Sequence, residues 1–177
     1  MRLNAPHAVF FAAVLATASM SLDQAQATMP PAVPQSPMDR LGAQLARAGV
    51  KRCAPIVRAV AAFVTENSNA AFVVRSLGAS PDTSPVSVTV ESAHASLGTT
   101  RYATITVVPS ESCAGFYEQT IYWAAACPAV KAQNFANFPA TRPLLRNIQQ
   151  SALSQNVSLQ LMPAGQGCIS IKKELFR

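Results

Sequence analysis

The chain has 177 residues, half of them hydrophobic, and a formal net charge of +6 from 14 basic and 8 acidic residues. Arg40, Arg47, Arg58, Arg75 and Arg101 stand singly, and only Lys51-Arg52 and Lys172-Lys173 are adjacent, so the basic residues do not form the stripe that nucleic acid requires. That excludes nucleic acid as a partner and leaves a weak attraction to anionic surfaces.

At the N-terminus Arg2 precedes an apolar run over residues 8–20, and Ala25-Gln26-Ala27 forms an A-x-A cleavage site. These three features predict a secretory signal peptide over residues 1–27. The run is shorter than the about 20 apolar residues needed to cross a bilayer. No cysteine precedes Cys53, so no acceptor for a lipid anchor follows it. No later segment is apolar for long enough to read as a spanning helix. The alanine-rich, lysine-poor composition points to a bacterial source, hence a periplasmic or secreted protein.

Residues 28–35 hold three prolines and read as an extended leader. Residues 36–177 read as a single domain. Ser36-Pro37-Met38-Asp39 opens a helix with a capping serine, a proline at the first helical position and an acid in the first turn. Leu41, Leu45 and Ala48 share its inner face, and Gly49 ends it. A second helix starts near Cys53-Ala54-Pro55 and runs to about Asn67, with Ile56, Val60, Phe63 and Val64 at helical spacing. Strands follow over residues 71–77, 86–91, 102–108 and 116–123, separated by turns at Ser80-Pro81-Asp82, Leu97-Gly98-Thr99 and residues 109–115. The connections are short enough for an antiparallel meander. A short helix starts at Cys127-Pro128, and residues 134–143 form a loop. Residues 144–152 suit a helix through Leu144, Leu145, Ile148 and Ala152, and suit a strand as well. Two last strands span residues 157–162 and 169–176. In the second, Ile169, Ile171 and Lys173 lie on one side, with Ser170, Lys172 and Glu174 on the other.

An even count of four cysteines in an exported chain implies two disulfides. A strand lies between Cys113 and Cys127, separating them by more than about 20 Å at about 3.3 Å per residue. A disulfide tolerates about 7 Å between Cα atoms. Following the ends of a meander brings Cys113, after the third strand, to the end where the second helix starts at Cys53. The expected pairs are therefore Cys53–Cys113 and Cys127–Cys168. Zinc is not indicated, because no C-x-x-C pair exists and His94 is the only histidine after residue 27.

The chain carries few residues in patterns that chemistry requires. His94 could join a serine and one of Asp39, Asp82, Glu91, Glu111 or Glu118 in a hydrolytic triad, but no G-x-S-x-G elbow supports it. Ser170 and Lys173 match S-x-x-K, yet a strand places them on opposite faces. Gly165-Gln166-Gly167 lacks the third glycine and following helix of a phosphate loop. No spacing of acids marks a glycosidase pair, and no cofactor motif is present. Asn156-Val157-Ser158 is a glycosylation sequon. The aromatic residues of the fourth strand alternate in pairs, so one face packs inward. The other offers Phe116 and Tyr122, with Tyr102, as the single candidate binding patch.

The expected architecture is α+β, with two N-terminal helices packed on one face of an antiparallel meander sheet of five or six strands, held by two disulfides. The first functional expectation is an exported, non-enzymatic protein acting through contacts with another envelope or extracellular protein, as an accessory, assembly factor or inhibitor. The alternatives are a carbohydrate- or small-ligand-binding domain using the Tyr102, Phe116 and Tyr122 patch, and a hydrolase centred on His94.

Overall fold

The computed structural model describes residues 35–66, 68–94 and 98–177. The expected signal peptide, all of the leader before Gln35, the helix end at Asn67 and the turn residue Leu97 lie outside the described residues.

Helix α1 spans Pro37–Arg47. Ser36 Oγ accepts the Asp39 N–H at 3.1 Å and donates to the Asp39 carboxylate at 2.6 Å, so cap and acid satisfy each other. The Ser36 hydroxyl bond holds the Asp39 carboxyl below its ordinary range. Gly49, at φ +75°, turns the chain out of the helix, and the Val50 N–H returns to the Leu45 carbonyl. Helix α2 spans Ala54–Thr65, and Glu66 ends it in the left-handed conformation at φ 52°.

Eight strands follow, with a third helix between them: β1 (Ala70–Ser76), β2 (Val86–His94), β3 (Thr99–Val107), β4 (Gly115–Trp123), α3 (Cys127–Asn134), β5 (Arg142–Pro143), β6 (Gln149–Ala152), β7 (Val157–Ala164) and β8 (Gly167–Phe176). They form one sheet in the order β1-β2-β3-β4-β8-β7-β6-β5, antiparallel at every pairing. The sheet thus has eight strands rather than five or six. It is also not one continuous meander. The chain runs β1 to β4, crosses to the far edge through α3, and meanders back until β8 lies against β4.

The added strands come from residues 142–152, whose helical spacing of apolar residues does not produce a helix. Leu144 and Leu145 are 56% and 86% exposed, so no apolar face is buried there. Helical periodicity stabilises a helix only where its stripe meets a core. Here the backbone is bound to strands instead: the Leu144 N–H reaches the Ile148 carbonyl at 2.8 Å, and β6 pairs with β7. Pro143, lacking an N–H, sits on the edge strand, where a missing donor is tolerated.

All three helices cover the same sheet face and bury two clusters. Leu41, Leu45, Val57 and Val64 of α1 and α2 pack on Val88, Val90 and Ile105 of the sheet. Val130 of α3, with Phe138, packs on Ile121, Trp123, Leu159 and Leu161. Each fully buried leucine or isoleucine contributes about 1.5–3 kcal/mol of transfer free energy. One disulfide, Cys53–Cys113, ties the start of α2 to the β3–β4 turn with Cα atoms 5.6 Å apart. The other, Cys127–Cys168, ties the start of α3 to the start of β8 at 5.0 Å. Among the described residues no cysteine is free.

Candidate functional site

With the helices on one side, the other face of the sheet is uncovered. Alternation along β3 turns Arg101, Ala103 and Ile105 under the helices and Tyr102, Thr104 and Thr106 away from them. The registers extend that division across the sheet: Tyr102 stands beside Thr120, Thr120 beside Ile171, and Ile171 beside Gln160. Val73, Tyr102, Tyr122 and Leu175 on this face are each about half exposed. Its charges nearly balance. Lys173 pairs with Glu118 at 2.8 Å, Arg75 and Glu91 contribute one charge of each sign, and Arg142, opposite Gln150 and in line with Gln160, adds one positive charge.

Tyr102, Phe116 and Tyr122 all lie on the uncovered face, but the structure does not gather them into one stacking platform. Thr104 Oγ1 donates to the Tyr102 hydroxyl at 3.4 Å, so that ring lies along its own strand. The Tyr122 ring turns the other way, over Gly167, where a Cβ would collide with it. Phe116 is six residues from Tyr122 along β4, about 20 Å, and lies beneath Lys173 Nζ at 5.0 Å from its ring centre.

On the helix side, a polar seam separates the two apolar clusters. Tyr117 on β4 faces Glu174 on β8, and Gln119 faces Lys172. The Tyr117 hydroxyl donates to Glu174 Oε2 at 2.6 Å, and Lys172 Nζ lies 3.0 Å from that hydroxyl and 3.1 Å from the carboxylate. The Phe63 ring stands 5.8 Å from Tyr117, and Lys172 lies 5.8 Å from its centre. Burial first, then the bond and charge of Glu174, push the Tyr117 phenol well above its ordinary value. Tyr117 is therefore a fixed donor at neutral pH rather than a base. Burial alone would raise the Glu174 carboxyl, but the bonds from Tyr117 and Lys172 outweigh it and hold the group low. A cleft of about 400 Å³ opens here between α2 and the sheet, lined by Phe63, Tyr117, Gln119 and Lys172. At its upper end the buried Arg101 guanidinium donates to the Val64 carbonyl at 2.7 Å and to Glu66 at 2.8 Å, closing the end of α2. Arg101 Nε and the neighbouring Ser92 Oγ find no hydrogen-bond partner among the described residues.

This cluster was not singled out from the sequence. The signal was present in part, since the period of two puts Lys172 and Glu174 on one side of the last strand. What local patterning lacks is the pairing of β4 with β8, which places Tyr117 opposite them.

His94 lies on the helix side of β2, its ring 6.2 Å from Trp123. The acids weighed with it are dispersed. Glu91 points to the uncovered face, Glu118 is paired there with Lys173, and Asp39 is held by Ser36. Asp82, near the start of β2, accepts the Lys51 and Arg52 amides, which hold its carboxyl low. Glu111 sits in the β3–β4 turn, at the end of the sheet away from His94. Ser170 is buried and accepts the Trp123 indole N–H at 2.7 Å, whereas Lys173 lies on the opposite face.

Among the described residues no group of His, Cys, Asp and Glu could hold a metal ion, and no helix is long and apolar enough to cross a membrane. Two disulfides fit formation in an oxidising space. No family model, curated protein or solved structure matches this chain.

Proposed function

We propose that this is an exported, non-enzymatic protein that acts in the periplasm or outside the cell by binding another protein through the uncovered face of its sheet. The observation carrying this reading is the placement of all three helices on one face, which leaves half-exposed Val73, Tyr102, Tyr122 and Leu175 on the other. They stand among Thr89, Thr104, Thr106 and Thr120, and aromatic residues set in a mixed polar face match the composition of non-obligate protein contacts. The charge distribution supports a protein partner over an anionic polymer. The uncovered face carries three basic residues, Arg75, Arg142 and Lys173, against Glu91 and Glu118, while Arg47, Lys51, Arg52 and Arg58 belong to the helical side. The divergence of the Tyr102 and Tyr122 rings favours a broad protein contact over a sugar stacked on a single platform.

A photocrosslinking residue in place of Thr104, on the uncovered face, tests the reading against one in place of Arg58 on α2. The expected result is a discrete adduct from Thr104 alone, lost when Tyr102→Arg and Ile171→Arg are added to a chain with unchanged thermal unfolding. Equal capture from both positions, or capture that survives the two substitutions, would overturn it.

A further inference from the structure

A second cleft lies on the helix side, away from the proposed protein-binding face. It has a volume of about 700 Å³ and opens between α3 and the β5–β6 hairpin. That volume falls in the range of about 300–1,000 Å³ typical of small-molecule sites. Pro128, Leu161 and Pro163 supply apolar walls, and Lys131, Arg146 and Asn147 supply polar groups.

The charge of this region is one-sided. From Gln119 to Lys173 the chain contains no aspartate or glutamate, and of the basic residues in that stretch Lys131 and Arg146 line the cleft. Among the described residues no carboxylate pairs with Lys131 or Arg146. Lys131 is nevertheless fixed in place: its Nζ donates to the Phe135 carbonyl at 2.9 Å and the Phe138 carbonyl at 2.7 Å. An ammonium has three N–H donors, so one remains after those two bonds. Arg146 is exposed on the hairpin loop and presents a guanidinium suited to a carboxylate. A neutral apolar ligand would leave both cations unused, and a small inorganic anion would leave the apolar walls wet.

We infer that this cleft binds a straight-chain fatty carboxylate, with its head at Lys131 and Arg146 and its alkyl chain along Leu161, Pro163 and Pro128. Calorimetric titration of the intact, oxidised protein with decanoate tests the assignment, with decanol and inorganic phosphate as separate arms. Amide shifts by NMR at Asn147 and Gln149, both lining residues, locate the ligand. Decanoate is expected to bind at this place, with decanol and phosphate each at least about tenfold weaker, because each lacks one half of the recognition. Arg146→Glu, in an exposed loop, is expected to weaken decanoate by about tenfold or more at an unchanged unfolding midpoint. Ala140→Trp, which fills the mouth, is expected to abolish binding. Absence of decanoate binding, phosphate binding as tight as decanoate, shifts confined to another region, or an Arg146→Glu affinity within about twofold of the parent would each overturn the assignment.

Discussion

Replacing Ser170 by alanine removes one oxygen from the second apolar cluster and isolates the indole of Trp123. The indole N–H donates and cannot accept, so Ser170 Oγ at 2.7 Å is the acceptor it depends on. Ser170 and Trp123 are 2% and 9% exposed, which leaves bulk water little access to the vacated position. The expected cost is that of a buried donor left without a partner, about 1–3 kcal/mol, while the change in packed volume is small. A loss of about 2 kcal/mol would lower the unfolding midpoint by roughly 4–8 °C in a domain of this size. Trp123 is the single tryptophan, so its emission reports on this cluster alone. Urea unfolding of the oxidised protein, followed by Trp123 emission and by far-ultraviolet circular dichroism, measures both effects. A Ser170→Ala free energy within about 0.5 kcal/mol of the parent, with unchanged emission, would refute the assignment of Ser170 as a structural acceptor.

Removing the Cys127–Cys168 bridge as Cys127→Ala with Cys168→Ala frees a loop of sequence separation 41, and the chain-entropy estimate sets the loss at no more than about 4 kcal/mol. Denaturant unfolding without reductant measures it, and a loss under about 1 kcal/mol would show that packing of α3 alone holds the second cluster. For Glu174 the folded carboxyl is held below the ordinary glutamate value of 4.5. A depressed folded value stabilises the protein above the unfolded value, and that contribution is lost as pH falls through the folded one. Stability measured from neutral pH downward should therefore decline below about pH 4.5, and Glu174→Gln should flatten that decline; parallel acid limbs for the two proteins would contradict the bond from Tyr117.

Much of the first half of the fold was legible in the sequence because its signals are local. Ser36, Pro37 and Asp39 specify a helix start through capping geometry, and Gly49 specifies its end through φ. The alternation of Val86, Val88 and Val90 specifies a strand with one buried face. The candidate patch was legible to the same extent. Parity alone puts Phe116 and Tyr122 on one face of β4, and the β3–β4 register adds Tyr102, but the direction of each ring depends on its neighbours, Thr104, Lys173 and Gly167.

The last strand marks the limit of such reading. Its period of two separates Ile169 and Ile171 from Ser170, Lys172 and Glu174, yet hydrophobicity would turn the isoleucines inward. The structure does the reverse. Ser170 is needed as the acceptor for Trp123, and Lys172 with Glu174 fills the seam beside Tyr117.

The sequence by itself determined where elements begin and end, and which residues within one element share a side, because capping and periodicity act over a few residues. Only the tertiary structure decided the junction of β4 with β8, and with it the seam, and only it made residues 142–152 into two added strands and left one face of the sheet open. That junction unites segments some fifty residues apart in the chain, and its energy lies in contacts that exist only once both meanders and all three helices are in place.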